Sequence, residues 1–180
     1  MRTEVEIRGP LTEREYQRLL KFLKKNGQLL KEGEQMVVFF EMRRHVMNLK
    51  KDHKREKIVL KLGEWQKGNR EEIEVVLRKG QFGNALKLFK GLGYKKGYRI
   101  PAFRQDFLYQ GIQISLKTKA VIGTHYEMET LSVGQKGVGE KKRNLLAVAR
   151  SLKLKVWSEA EYRRIAHERW EAHHPGPEDL

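Results

Sequence analysis

Charged residues recur at every second position on short segments whose intervening positions are apolar. Glu4, Glu6 and Arg8 alternate with Val5 and Ile7, and Arg70, Glu72 and Glu74 are followed by Ile73, Val75 and Leu77 in the opposite phase. Gln113, Ser115 and Lys117 oppose Ile112, Ile114 and Leu116, and His125, Glu127 and Glu129 recur in the same way near position 127. Lys57 and Lys61 flank Val59 on one face. Side chains of a β-strand alternate between the two faces of its sheet, so each segment carries one apolar face and one charged face. Such a chain must bury the first and find a use for the second.

Eight segments have this strand character: Thr3 to Arg8, Met36 to Met42, His45 to Lys50, Glu56 to Leu62, Glu71 to Arg78, Ala102 to Tyr109, Ile112 to Lys117 and Tyr126 to Leu131. Gln110 and Gly111 form a tight hairpin turn. Thr12 with Glu15 reads as a capping box opening a helix through Tyr16, Leu19, Leu20 and Leu23, which Gly27 ends. A second helix is expected over Phe82 to Leu92, and helix continues from about Glu140, with a second capping box at Ser158 and Glu161. An antiparallel meander of this size with one apolar face closes, or nearly closes, to protect its edges. The expected fold is α+β: an eight-stranded antiparallel β-barrel over residues 1–133, helices over 139–174 packed on the same domain, and a flexible tail at 175–180.

Paired acids sharpen the choice of which face is inside. Glu4/Glu6, Glu72/Glu74 and Glu127/Glu129 each place two carboxylates side by side, and like charges that close repel unless solvated or bridged by a cation. On one strand a solvated outer face is the simpler reading; on five strands an inward-facing, polar tunnel is favoured. Hard cations such as Mg²⁺ and Mn²⁺ take carboxylate oxygens together with phosphate ligands. Basic residues on neighbouring strands would hold the phosphate oxygens.

The ordered set resembles the CYTH superfamily, the triphosphate tunnel metalloenzymes, which includes class IV adenylate cyclases, thiamine triphosphatases and inorganic tripolyphosphatases. The carrying motifs are Glu4-x-Glu6-x-Arg8, the Asn48-Leu49-Lys50 segment, the KIVLKLG run with Lys57 and Lys61, Arg70-x-Glu72-x-Glu74, Arg104, and Glu127-x-Glu129 after Gly123. The resemblance covers about residues 3 to 131, and the carboxy-terminal helices resemble those of cyclase-like members. It implies a tunnel in which Glu4, Glu6, Glu127 and Glu129 hold Mg²⁺ or Mn²⁺, with Arg70, Glu72 and Glu74 supporting. By the same resemblance Arg8, Lys50, Lys57, Lys61, Arg104 and Lys117 hold phosphates, and Glu4, Glu6, Arg8, Lys61 and Arg104 form the catalytic set. The substrate would be a nucleoside triphosphate, thiamine triphosphate or inorganic triphosphate, hydrolysed or, in the manner of a class IV cyclase, cyclised.

Several positions depart from the family pattern. Arg8 stands for a lysine, Lys117 for an aspartate and Ala102 for a lysine, and one position of the basic third strand falls on Asn48 or Asp52, depending on register. These departures leave open a module that binds a polyphosphate or an RNA 5′-triphosphate without turnover. A net charge of +15 and pI near 10.0 also fit a general nucleic-acid binder, but no nucleic-acid motif accompanies them. There is no cysteine, which excludes disulfides and thiol nucleophiles. No run approaches the roughly 18 apolar residues of a membrane span, and MRTEVEIRG lacks a signal-peptide pattern, so the expected location is cytoplasmic. The glycines at 134, 137 and 139 lack the Gly-Lys-Ser/Thr ending of a phosphate loop and read as a linker. His173 and His174 lack metal spacing, His125 reads as a turn residue, and Trp157, Tyr162 and Trp170 read as packing between the last helices.

Overall fold

The computed structural model describes residues 2–41, 45–52, 54–62, 69–94, 96–133, 137–173 and 178–179. Gly63, Gly68, Gly134, His174 and the side chains of Arg70 and Trp170 lie outside that set. In chain order the elements are β1 (Arg2–Pro10), α1 (Glu13–Asn26), β2 (Gln28–Glu41), β3 (His45–Asp52), β4 (Glu56–Leu62), β5 (Asn69–Leu77), α2 (Phe82–Gly91), β6 (Lys96–Tyr109), β7 (Ile112–Thr118), β8 (His125–Val133), α3 (Val138–Ser151), α4 (Glu159–His173) and β9 (Glu178–Asp179).

The strands pair antiparallel in the order β2-β3-β4-β5-β1-β8-β7-β6, and β2 pairs in turn with β6, so the order runs back to its start. The β2–β6 seam is long, from Gln28↔Leu108 to Phe39↔Tyr98, with a bulge between Leu29 and Lys31. Among the described residues the β1–β5 seam joins Thr3, Glu4 and Val5 to Glu71, Arg70 and Asn69. The result is the expected α+β architecture, a curled eight-stranded antiparallel sheet with four helices outside among the described residues. β9 adds two residues against Lys96 and Gly97 of β6.

Two strands are longer than the alternation predicts. β2 begins at Gln28 rather than Met36, and β6 at Lys96 rather than Ala102. Each supplies the other's pairing partner, and this long-range pairing overrides a local sequence, LLKEGEQ, with no apolar alternation. Pro101 sits within β6 opposite Met36, before the stretch from Phe103 on that also pairs with β7.

The apolar faces turn outward onto helices. Val5 and Ile7 of β1, Ile112, Ile114 and Leu116 of β7, and Tyr126 and Met128 of β8 pack with Leu19 and Leu23 of α1 and Leu145 and Ala149 of α3. Each fully buried Leu or Ile there contributes about 1.5–3 kcal/mol. A second, smaller core sets Ala85 and Phe89 of α2 on Val38, Phe40, Met47 and Leu49. The outer face of β5 is left bare: Ile73 and Val75 are 46% and 51% exposed. Both capping boxes form, Thr12 with Glu15 and Ser158 with Glu161. Among the described residues no helix is long and apolar enough to cross a membrane.

Candidate functional site

With Val5, Ile7, Ile114, Leu116 and Met128 buried under helices, alternation places Glu4, Glu6, Arg8, Ser115, Lys117, Glu127 and Glu129 on the inner face. The same logic on the α2 side, where Met47, Leu49, Ile58 and Leu60 face outward, turns Asn48, Lys50, Lys57 and Lys61 inward. Val46 and Val59 are buried yet belong to neither outer core, as expected of residues inside the ring.

The inner face is a set of ion pairs. Lys61 Nζ lies 3.2 Å from Glu4 and 3.8 Å from Glu72. Arg8 donates to Glu6. Lys117 Nζ lies 2.6 Å from Glu127, whose other oxygen is 3.8 Å from His125 Nε2. Arg104 binds Asp106 at 2.5 Å and Ser115 Oγ at 2.9 Å, and reaches Glu129 at 4.0 Å; Gln113 also donates to Glu129. Lys57 pairs with Glu74 at a more exposed position. The main chain of Arg70 pairs with Glu4. Thus Glu4, Glu72 and Lys61 are brought together as one group, and Arg104, Lys117, Glu127 and Glu129 as another.

Lys50 stands apart. No described carboxylate lies within ion-pair distance of it, and burial together with repulsion from Lys61, only partly offset by Glu72, pushes its ammonium down to about 8, with Lys57 and Arg104 adding to the repulsion. Glu72 is driven up to about 7 by burial and by its hydrogen bond with Glu4. Glu4 behaves oppositely: burial would raise it, but the bond from Glu72 and the charges of Lys61 and Lys50 hold it near 2. Of the two, Glu72 is the carboxyl that takes up a proton first as the pH falls, and Glu4 the one that keeps its charge. Burial lifts Glu129 to about 7 despite Arg104. Lys117 overcomes the burial of Glu127 and holds it well below the usual carboxylate range.

Alternation on the first half of β2 is too weak to reveal Lys31, which bridges Asp52 at 3.0 Å and Asp106 at 3.5 Å. Asp106 was legible, two residues from Arg104 on the same face. Asp52 accepts from the Lys54 and Arg55 backbone as well as from Lys31, an anchoring role. Tyr162 is the larger surprise. Its ring lies 4.1 Å over the Arg8 guanidinium, so α4 meets the inner face rather than only packing on α3. Trp157 continues this contact between Tyr162 and His125, and its backbone N–H donates to Arg8 O at 2.9 Å. His125, which the sequence leaves between a turn residue and a place on the charged face, is the buried first residue of β8, with Nδ1 2.8 Å from Gly123 O.

The four carboxylates expected to hold a divalent metal fit ion pairs and not a ligand set. Glu4, Glu6 and Glu127 each pair with a lysine or arginine, Glu129 lies 4.0 Å from Arg104, and among the described residues no group of three or more His, Asp or Glu side chains is placed to hold a metal ion. A cavity of about 650 Å³ lies outside the ring, between α1 and the end of α3, lined by residues including Arg14, Arg18, Phe22 and Leu152. That groove is remote from the charged cluster. A ligand entering the interior must take cations over from their carboxylates.

No protein-family model matches the sequence, and neither does any curated protein. Solved structures do match in fold. A conserved hypothetical protein from Pyrococcus furiosus is 25% identical, with a TM-score of 0.70 over 84% of this chain and 91% of its own. A protein from Vibrio parahaemolyticus assigned as an adenylate cyclase is 16% identical, with a TM-score of 0.72 over 91% and 97%. An assigned adenylyl cyclase from Hippeastrum, described as having a dominant triphosphatase activity, is 16% identical, with a TM-score of 0.58 over 87% and 90%. Fold and interior together define a tunnel-like sheet that gathers charge inside itself. The fold is the one these solved structures share.

Proposed function

We propose that the interior binds the phosphates of a triphosphate-bearing molecule: a nucleoside triphosphate, thiamine triphosphate or inorganic triphosphate. The observation that carries this reading is Lys50, a cation without an ion-pair partner among the described residues, facing Lys57, Lys61 and Arg104. Like charges withdrawn from water are unfavourable without a counter-ion, and a polyphosphate supplies several negative oxygens. Arg8, Lys61 and Arg104 would exchange carboxylate partners for phosphate oxygens, with Lys117 beside Arg104 on the neighbouring strand. Binding on this reading swaps one set of anions for another.

Turnover is a second reading, favoured by the adenylate cyclase assignment and the triphosphatase activity of the similar structures. Glu129, held near 7, is suited to take a proton from the nucleophile. In hydrolysis, water oxygen would bond to the terminal phosphorus as the bridging P–O bond breaks, the water proton passing to Glu129. Arg104 and Lys61 would stabilise the charge on the transferred phosphoryl group. In cyclisation the ribose 3′-hydroxyl would instead bond to the α-phosphorus as the bridging bond to the β-phosphate breaks, its proton passing to Glu129 and diphosphate leaving. A screen of tripolyphosphate, ATP, GTP and thiamine triphosphate, with phosphate, diphosphate and cyclic nucleotide recorded separately, distinguishes these outcomes. Binding with no product from any of them supports capture alone, and absence of binding contradicts the proposal.

A further inference from the structure

Resting on the triphosphate reading, we propose that Lys117 is a built-in cation for the Glu127 side of the tunnel, so that this chain holds its triphosphate without a divalent metal ion. Lys117 and Arg104 are cross-strand partners on the inner face, and adjacent like charges there are unfavourable unless anions flank them. The flanking anions are present: Glu127 against Lys117 at 2.6 Å, and Asp106 and Glu129 against Arg104. Both members of the Lys117–Glu127 pair are largely withdrawn from solvent, with side-chain exposures of 16% and 13%.

That geometry bears on metal in two ways. A divalent ion bound to Glu127 would have to displace the ammonium, yet remain within a few ångströms of it and of Arg8, whose charge also acts on Glu127. In the ligand-free protein the other carboxylates of the expected ligand set are also engaged, Glu4 by Lys61, Glu6 by Arg8, and Glu129 by Gln113 with Arg104 at 4.0 Å. The positive charge that a metal–polyphosphate complex would bring is already covalently part of the protein. Arg104 and Lys117, side by side, then form a two-cation cradle for one phosphate group, with Lys50 available to the next.

Two measurements on the intact chain test this. Electron paramagnetic resonance of Mn²⁺ titrated with protein alone should show no tightly bound ion. Calorimetric titration with inorganic tripolyphosphate should show binding in excess EDTA, with an affinity within about threefold of that in Mn²⁺. Lys117→Arg should keep metal-free binding. Lys117→Asp should lose at least about tenfold of it in EDTA and regain it with Mn²⁺. If that variant does not fold by circular dichroism, the wild-type comparison decides alone. Wild-type binding that requires Mn²⁺, or tight Mn²⁺ binding by the protein alone, overturns the inference and leaves the triphosphate reading standing. Binding in neither condition overturns both.

Discussion

Tyr162 of the last helix stacks on Arg8 of the first strand, with the ring centroid 4.1 Å from the guanidinium carbon. A desolvated contact of this kind is worth about 2 kcal/mol and an exposed one about 0.5–1 kcal/mol. α4 makes few other apolar contacts with the sheet; Trp157, just before it, and Ala166 are the buried residues of that region. Tyr162→Ala should therefore free α4 selectively. Hydrogen exchange should speed up across 159–173 while Leu19, Leu23 and Met128 amides stay protected. Tyr162→Phe keeps the ring and should behave as wild type.

Gly9 fixes where that carboxy-terminal segment lies. A Cβ at Gly9 would fall 1.9 Å from Lys155 O, a backbone atom that also accepts from Tyr126 Oη at 3.0 Å. Gly9→Ala forces strand and segment apart and should destabilise the fold by about 1–3 kcal/mol, as overpacking does. Thermal unfolding measures it, and an unchanged Tm would contradict the close approach.

The pairing of Glu4 and Glu72 has a definite pH signature. Glu72 is raised from 4.5 to about 7, so its contribution is present below pH 4.5 and is lost as pH rises through 7. Glu4, held near 2, acts in the opposite sense only at strongly acid pH. Glu72→Gln retains a donor to Glu4 without the charge. It should raise stability by about 1–2 kcal/mol at pH 8 and change it little at pH 5. Denaturant unfolding at the two pH values checks this.

Lys50 should couple binding to protons. Its folded value near 8 lies below the ordinary 10.5, so above pH 8 it is largely neutral in the free protein. A bound polyanion restores its charge, and tripolyphosphate binding at pH 9 should take up close to one proton, against almost none at pH 6. Calorimetry in buffers of different ionisation enthalpy reads the uptake, and buffer-independent heats at pH 9 would contradict it.

The alternation of Glu4, Glu6 and Arg8 with Val5 and Ile7 was enough to turn the charged faces inward, because helices α1 and α3 have nowhere else to bury their stripes. The capping boxes at Thr12 and Ser158 were legible for the same reason: each is a local arrangement of four residues. What escaped the sequence is non-local. The first half of β2 exists because β6 pairs with it, and Lys31 entered the inner face with it. Tyr162 sits at helical spacing that reads as ordinary packing, and only the return of the chain past Gly9 brings it to Arg8. Which cation would hold which carboxylate depends on register across seams, and that register is what replaced an expected metal ligand set with ion pairs.

The most direct test is the affinity of the intact protein for tripolyphosphate beside that of Lys50→Met. The account predicts saturable binding by the wild type. In the variant, binding weakens at least about tenfold while the ligand-free Tm rises, because a cation repelled by its neighbours has been removed. Equal affinities, or no binding by the wild type, would contradict the claim that this interior is built for polyphosphate.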